Sequence, residues 1–347
     1  MSENPIRVAV VGAGDFGRNH VRVWRETPGA ELVGILDTNA ERAQKVAAEF
    51  GTRVLRDLDA LTSDGIDAVS LAVPTLEHAR IGSRILEAGI DVLVEKPIAA
   101  SLAEADALIA SAKRSKGILQ VGHVERFNPA IVAARKIVSR PMFFEIHRLG
   151  IFSPRSLDID VVYDVMIHDL DILLSLVNAP VVDLKAVGIP VISEKVDIAH
   201  ARVEFETGTV ANLTASRVST ERVRKMRFFQ EHEYVSLDFT RQDVLRVRVD
   251  SSSSPMAGAS GISAAERGVP LTEFQPKIAF EKVPTTPEEP LRAELRSFLE
   301  SVRTRTQPTV DGAAGRRALE LADRVMSGIL EHARHVQPSA FAPQDAR

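Results

Sequence analysis

Short apolar runs alternate with helix-like segments along residues 6–123. The apolar runs are IRVAVV, ELVGIL, DAVSLAV, DVLVEK and GILQVGH, and most are followed by a segment whose apolar residues recur at helical spacing. Strands that alternate with helices are typical of βαβ units, which build a parallel sheet. Residues 1–123 are therefore predicted to form one α/β domain with a parallel sheet.

Capping residues set the expected limits of several helices. Asn39 precedes one helix of the first half, and Gly89 follows a helix predicted over residues 75–88. Ser101 and Glu104 lie three residues apart, which is the spacing of a capping box. The same spacing at Thr286 and Glu289 predicts a helix near the C-terminus that begins at the proline between them.

The pattern changes after residue 123. Several strand-like runs follow one another without intervening helices, and Ala199, Ala201, Val203 and Phe205 alternate with polar positions. Such alternation is typical of a sheet with one covered face. One segment over residues 160–177 has helical period instead. Residues 124–347 are therefore predicted to form a second α/β domain with a large sheet.

Composition narrows the class of protein. The 347 residues are 45% hydrophobic and 26% charged, with a net charge of −4 and no cysteine. A weakly acidic chain of this kind does not favour a nucleic-acid partner, and the absence of cysteine excludes disulfides and thiolate zinc sites. We expect neither a signal peptide nor a membrane span, and so a cytoplasmic protein.

A glycine motif joins the first strand to the first helix. Gly12, Gly14 and Gly17 match G-x-G-x-x-G at this junction, where dinucleotides bind through their pyrophosphate. Asp37 ends the second strand, where a carboxylate accepts hydrogen bonds from a ribose 2′-hydroxyl and repels a 2′-phosphate. This pattern predicts NAD rather than NADP, although Arg42 lies close enough in sequence to leave the preference open.

Two further strands end in residues suited to chemistry. The strand that finishes in Val94 runs directly into Glu95 and Lys96, an acid and a base at the edge of the sheet where ligands bind. Pro74 ends the preceding strand at the same edge, and His78 lies one turn into the following helix. His78 is either a cofactor contact or an ordinary surface histidine.

The helical segment of the second half carries three polar residues at spacings of four and three. These residues, Asp164, His168 and Asp171, are expected on one helix face. A carboxylate beside a histidine orients the ring and makes it more basic, as a general base requires. Two alternatives remain at this point: a metal site built from the same residues, and a solvated acidic face.

Several arginines are candidates for gripping a phosphorylated or carboxylated substrate. Arg126 and Arg155 are favoured for this role, because guanidinium groups bind such anions through two parallel hydrogen bonds. The cluster from Arg217 to Arg227 is instead expected to be a solvated face of the sheet.

The chain resembles the Gfo/Idh/MocA family of sugar and cyclitol oxidoreductases. The resemblance rests on the N-terminal glycine motif, on Glu-Lys-Pro after the fifth strand and on D-x-x-x-H-x-x-D in the later helix, and it covers nearly the whole chain. It implies a Rossmann domain followed by an α/β domain with a large, mostly antiparallel open sheet, through which the chain would form a homodimer or homotetramer.

The resemblance also implies roles for particular residues. Lys96 and His168 would flank the reacting carbon of the substrate, with Asp164 supporting the histidine. Together with the motifs, the expected cofactor contacts are Gly12, Gly14, Asp15, Phe16, Gly17, Asp37, Pro74, His78, Glu95 and Lys96. The expected substrate contacts are Arg126, Arg155, Asp164 and His168, and no metal is expected.

Departures from the family pattern point to a particular substrate class. Asp158, Ile159 and Asp160 stand where the family often has three glycines, and Met166 stands where a glycine is usual. The phrases VGHVERFNPAI, RSLDIDVVYDVMIHDLD and ANLTASRVS are most similar to the UDP-N-acetylglucosamine 3-dehydrogenase branch, which serves lipid A assembly. The expected function is NAD-dependent oxidation of a nucleotide-linked sugar. The alternatives are an oxidoreductase of an unactivated sugar or cyclitol, and a dinucleotide-binding regulator without catalysis.

Overall fold

The computed structural model describes residues 4–152, 158–249 and 277–336. The chain divides into two compact units. Unit 1 comprises Met1–Phe127, Leu170–Ile172 and Glu288–Asp323, and unit 2 comprises Asn128–Asp169, Leu173–Pro287 and Arg324–Arg347. A segment near the C-terminus thus joins the first unit by its contacts, while the expected domain division at residue 123 stays a prediction.

Among the described residues the strands and helices follow each other in the order that the apolar pattern suggests. The strands are β1 (Ile6–Val11), β2 (Ala30–Leu36), β3 (Arg53–Val54), β4 (Ala68–Leu71), β5 (Asp91–Glu95), β6 (Leu119–Gly122), β7 (Pro141–Ile151), β8 (Val181–Ile189), β9 (Ile198–Phe205), β10 (Val210–Ser219), β11 (Val223–Gln230), β12 (Glu233–Asp238), β13 (Asp243–Val249) and β14 (Ile278–Val283). The α-helices are α1 (Asp15–Glu26), α2 (Ala40–Phe50), α3 (Asp59–Ser63), α4 (His78–Glu87), α5 (Leu102–Ser115), α6 (Pro129–Ala134), α7 (Ile167–Leu176), α8 (Pro290–Thr304) and α9 (Gly312–Val336).

The sheet of unit 1 is parallel, as predicted. Its strand order is β3-β2-β1-β4-β5-β6, which is the Rossmann order. Because the strands are parallel, their carboxyl ends meet at one edge, and the order reverses between β1 and β4. The residues that follow those strand ends are therefore the ones that a bound dinucleotide meets.

The predicted helix caps of unit 1 are largely confirmed. The Asn39 side chain accepts a hydrogen bond from the Arg42 N–H at the start of α2, and the Ser101 hydroxyl accepts one from the Glu104 N–H at the start of α5. The predicted start of α8 is wrong. This helix begins at Pro290, since a proline disfavours helical geometry in the residue before it and is well placed in the first turn.

The sheet of unit 2 is mostly antiparallel, as predicted, and has the order β14-β13-β12-β11-β7-β10-β9-β8. Among the described strands of this sheet, only the β7–β10 pair is parallel. The alternating residues of β9 are buried on one face, where the last turns of α9 also pack, because Gly328 lies against Ala186 of β8.

An apolar row crosses the opposite face of this sheet. Direct cross-strand pairs join Phe143, Phe229, Tyr234, Val247 and Phe280 in that order from β7 to β14. The rings of the first three lie 5.8 and 5.1 Å apart, and Phe280 is 72% exposed. A row of this kind is unusual on a sheet face that remains in water.

A buried ion pair holds the segment that leads into α7. Asp197 accepts hydrogen bonds from the N–H groups of Val191, Ile192 and Ser193 and from the guanidinium of Arg217. Although burial opposes it, these donors keep the pKa of Asp197 far below its usual range. Arg217 also donates to the Ile159 carbonyl at 2.6 Å. The prediction that Arg217 belongs to a solvated face is therefore wrong, because it is 7% exposed and anchors this segment.

Candidate functional site

The glycine turn after β1 has the geometry that a dinucleotide requires. Gly12 has φ +95°, and a Cβ there would lie 2.3 Å from the Ala72 carbonyl oxygen, so only glycine fits between the ends of β1 and β4. A Cβ at Gly17 would lie 1.8 Å from the Gly12 carbonyl oxygen. A Cβ at Gly14 meets nothing within 4 Å, so the backbone there faces open space.

The start of α1 completes an anion site. Gly14 precedes this helix and provides no side-chain cap, so the first N–H groups of the helix point toward the open space. Asp15 and Phe16 open the helix, and Phe16 is 61% exposed at this edge. The backbone of this turn therefore fits the pyrophosphate of a dinucleotide.

Asp37 lies directly after β2 and is held by several donors. Its carboxylate accepts hydrogen bonds from the N–H groups of Ala13 and Asn39 at 2.6 and 2.7 Å, and from Arg42 at 2.7 and 3.0 Å. Although burial opposes ionisation, these donors hold the pKa of Asp37 below its ordinary value. The side chain of Arg42 is 47% exposed, so it is the member of this group with room to move when a ribose approaches.

Pro74 and His78 lie at the end of β4 and the start of α4, after a short 3-10 turn at Thr75–Glu77. His78 is 1% exposed, and its ring nitrogens lie 2.9 Å from the Pro97 carbonyl oxygen and 3.0 Å from that of Val73. Burial lowers the pKa of this imidazole. A surface histidine is therefore excluded, and His78 joins the segments that follow β4 and β5.

The acid and base after β5 lie in a neighbourhood with further ionisable groups. The Glu95 carboxylate is 2.9 Å from His20 Nε2 on α1, and the Lys96 N–H donates weakly to the same carboxylate at 3.3 Å. Burial alone would raise the pKa of Glu95, but the hydrogen bond from His20 and the charges of His20 and Lys96 hold it below its usual value. Glu95 is therefore an anion beside Lys96.

The segment after β6 adds two more buried groups to unit 1. His123 follows β6 and is fully buried, which lowers the pKa of its ring. Arg126 is 6% exposed, with Nε 3.5 Å from an Asp171 oxygen and Nη2 donating to the Thr309 carbonyl. Its charge is thus balanced inside unit 1, and its role toward a substrate stays a prediction.

The segment that carries Asp164 is not a regular α-helix. Val162–Met166 form one turn of π-helix, and α7 continues from Ile167. Single π turns recur at functional sites. Asp164 and His168 are both half-buried in unit 2, whereas Asp171 belongs to the three residues of this helix that join unit 1. The expectation that the three residues share one helix face stays a prediction.

A buried ion pair fixes the helix beside His168. Arg148 of β7 donates to Asp169 at 2.7, 2.9 and 3.1 Å, and its guanidinium lies 5.0 Å from the Phe239 ring centroid. Both charged side chains are at most 6% exposed. Such a two-pronged pair restrains the backbone that carries the histidine.

Sequence patterns missed several members of this site. His20, Gln120 and Glu294 are buried in unit 1 near Glu95, yet none belongs to a recognisable motif. The available signal was a polar residue within an apolar helical stripe: Glu294 precedes Phe298 by four residues and His20 precedes Trp24 by four. Arg155, expected to bind substrate, lies outside the described residues.

Two other types of site are not found among the described residues. No helix in the described ranges is long and apolar enough to span a bilayer. Within the same ranges no cluster of three or more histidine, aspartate or glutamate side chains is arranged to hold a metal ion.

Comparison with known proteins places the chain in one family. Residues 6–123 match the Gfo/Idh/MocA oxidoreductase family, NAD-binding Rossmann fold, and residues 146–234 match a C-terminal domain of that family. The UDP-N-acetylglucosamine 3-dehydrogenase of Acidithiobacillus ferrooxidans is 38% identical over 92% of this chain and 96% of its own length. A solved structure of that enzyme has a TM-score of 0.83 and covers 94% of this chain and 98% of its own.

A second relative extends the comparison to cyclitols. The scyllo-inositol 2-dehydrogenase (NAD(+)) of Bacillus subtilis is 31% identical over 62% of this chain and 69% of its own length. The open backbone at Gly14 and the uncapped start of α1 fit the pyrophosphate of NAD, the cofactor in the name of this relative. The chain therefore belongs to the Gfo/Idh/MocA family of oxidoreductases and has an NAD-binding Rossmann domain.

Proposed function

We propose that this enzyme oxidises the 3-hydroxyl of UDP-N-acetylglucosamine to the 3-keto sugar with NAD. The observation that carries the proposal is the likeness to the Acidithiobacillus ferrooxidans enzyme, which extends over 92% of the chain at 38% identity. A 3-keto product is chemically suited to amino transfer, which supports a place before a transaminase in lipid A assembly. NAD and nucleotide sugars are cytoplasmic metabolites, which supports the same location for this enzyme.

The proposed chemistry assigns one role to each of three side chains. His168 accepts the proton of the sugar hydroxyl as general base, and Asp164 orients its ring. Lys96 donates a hydrogen bond to the same oxygen and stabilises the negative charge that develops there. NAD, when bound, supplies the hydride acceptor. The position of Glu95 supports this role, because its carboxylate accepts a hydrogen bond from the Lys96 backbone N–H and so helps to fix the segment that carries Lys96.

The first test is the substrate itself. Purified protein with NAD should form NADH from UDP-N-acetylglucosamine and much less from free N-acetylglucosamine or from inositols, because only the nucleotide sugar offers a pyrophosphate for charge-assisted bonds. Initial rates at the NADH absorbance band measure this directly. Equal rates with free sugar would remove the nucleotide-sugar proposal and leave an unactivated sugar as substrate, and no oxidation of any sugar would favour a non-catalytic regulator.

A second test concerns the proposed catalytic pair. Lys96→Ala and His168→Ala should each lower kcat by roughly 10²–10⁴, the usual scale for a positioned acid or base, while NAD affinity and folding stay close to wild type. Lys113→Ala and His332→Ala are matched controls at exposed positions and should leave kcat unchanged. A variant of the pair with near-wild-type kcat would remove that residue from the mechanism.

Cofactor preference follows from the carboxylate of Asp37. NAD should bind at least tenfold more tightly than NADP, about 1.4 kcal/mol, because a 2′-phosphate would meet this anion. Asp37→Ser should narrow the difference, since it removes the repulsion and releases Arg42 toward the phosphate. Calorimetric titration measures both affinities. The gain for NADP should shrink when Arg42→Ala is added, because only the loss of repulsion then remains, and an undiminished gain would contradict the role given to Arg42.

We also propose that the open sheet of unit 2 forms a homodimer or homotetramer interface, which the apolar row from Phe143 to Phe280 supports. Phe280→Asp should lower the mass measured by light scattering, because a charge in a dry interface is costly. The control is Leu76→Asp, at an apolar residue of unit 1 that is 77% exposed, and it should leave the measured mass unchanged. A wild-type mass equal to one chain would contradict the proposal.

A further inference from the structure

Helices α1 and α8 of unit 1 pack side by side and run in the same direction. Arg22 pairs with Glu289, and one turn later Glu26 pairs with Arg292. Trp24 meets the Phe298 ring edge to face, with centroids 6.4 Å apart. One turn before these rings come His20 on α1 and Glu294 on α8. Both side chains are at most 1% exposed, so α1 and α8 each bury a polar residue inside unit 1.

Strand β6 contacts both Glu95 and Glu294. A Cβ at Gly122 would lie 2.9 Å from Glu95 Oε1, so the Glu95 carboxylate rests directly on the glycine backbone. Gln120 lies two residues earlier on the same face of β6, and its amide donates to the Glu294 backbone carbonyl at 3.3 Å. Both residues therefore contact the last part of β6 inside unit 1, and the negative charge of Glu95 acts on the buried Glu294.

The surroundings of the two carboxyl groups differ. Glu95 has His20 at 2.9 Å and Lys96 as its neighbour, and both stabilise an anion. Glu294 is 0% exposed, and among the described residues neither of its carboxyl oxygens has a hydrogen-bond partner. Burial raises the pKa of Glu294 well above its usual value, and the negative charges of Glu95 and Asp171 add to that effect.

The remaining charged groups near Glu95 and Glu294 do not change this difference between their surroundings. On the Asp171 side, Arg126 lies 3.5 Å from that carboxylate and offsets it. His123, after β6, is fully buried, and burial lowers the pKa of its ring. The cationic partners in this part of unit 1 thus belong to Glu95 and Asp171.

We propose that Glu95 and Glu294 form a carboxyl pair that at neutral pH holds one proton, on Glu294, and one negative charge, on Glu95 beside Lys96. Two carboxyl groups that share a site cannot both ionise readily, and the environment decides which one keeps the proton. Glu294 is then a positioning residue, which acts through Glu95 on Lys96. This inference rests on the proposed function for the role of Lys96, but the pair itself does not depend on the substrate.

Infrared difference spectra test the pair without turnover. Wild type at neutral pH should show the carbonyl stretch of a protonated carboxylic acid that is absent in Glu294→Gln and present in the control Glu300→Gln, an exposed position on the same helix. In Glu95→Gln this band should disappear at a lower pH than in wild type, because the neighbouring charge is gone. No such band at neutral pH, or a band that titrates identically in Glu95→Gln, would overturn the pair.

Unfolding in urea gives an independent measure. The unfolded chain releases the Glu294 proton near pH 4.5, whereas the folded chain keeps it to a higher pH. Between these two pH values the folded state binds more protons than the unfolded state. The free energy of unfolding of wild type therefore falls as pH rises through that window. Glu294→Gln removes this loss. The unfolding midpoints of variant and wild type should converge toward pH 4.5 and diverge above it, and a difference that does not change with pH would contradict a retained proton.

The positioning role has its own readout. Glu294→Leu removes the polar neighbour of Glu95, so the Glu95 carboxylate should become protonated at a higher pH. Infrared titration measures this pH, and the loss of the band in Glu95→Gln assigns the band to Glu95. The acid limb of the kcat profile should move in the same direction, whereas Glu294→Gln should restore both to wild type. Unchanged Glu95 titration in Glu294→Leu overturns the positioning role, and if that variant does not fold, Glu294→Met takes its place.

Failure to oxidise any UDP-sugar would overturn the proposed function alone, since the infrared and unfolding results stand without it.

Discussion

The contact between Gly12 and the Ala72 carbonyl is the constraint on which the site of unit 1 depends. It lies where the strand order reverses between β1 and β4, and any side chain at position 12 would force these strand ends apart. With the strands this close, the first N–H groups of α1 face the open space over Gly14. The parallel register then places Asp37, Pro74 and Lys96 along the same edge, so one backbone contact decides where several side chains meet a ligand.

A second feature is that the buried charges described above are compensated, in some cases by a close ion pair and in another by a retained proton. In unit 2, Arg148 with Asp169 and Arg217 with Asp197 are close ion pairs that restrain the segments on either side of the π turn. In unit 1, Glu95 is compensated by His20 and Lys96, whereas the Glu294 carboxyl accepts no hydrogen bond from any described residue and, in our proposal, keeps its proton. The first solution stabilises position, and the second also makes the site sensitive to protonation.

Much of the fold could be predicted because local signals and tertiary structure agree. The glycine motif, the caps at Asn39 and Ser101 and the alternation in β9 each act over a few residues, and the structure confirms them. The predicted start of α8 was wrong because two prolines, Pro287 and Pro290, could each occupy the first turn, and the helix begins at the second one.

The site was harder to predict where its residues come from distant segments. The burial of His78 depends on carbonyls contributed by two different strand ends, and that of Glu294 on a helix that returns to unit 1 from the far end of the chain. The π turn before α7 is invisible to a period-based pattern, because Asp164, His168 and Asp171 have ordinary helical spacing. The proposed substrate class comes from the likeness of whole sequences, because residue spacing alone does not encode it.

The most direct test of the central claim follows a single hydrogen. UDP-N-acetylglucosamine deuterated at C3 should transfer its label to NAD, so that NADH carries deuterium in an amount equal to the keto sugar formed, as measured by mass spectrometry and proton NMR. Loss of the C3 hydrogen to NAD would establish both the oxidised carbon and the cofactor in one experiment. NADH without the label, or label transferred only from a sugar deuterated at another carbon, would contradict oxidation at the 3-hydroxyl.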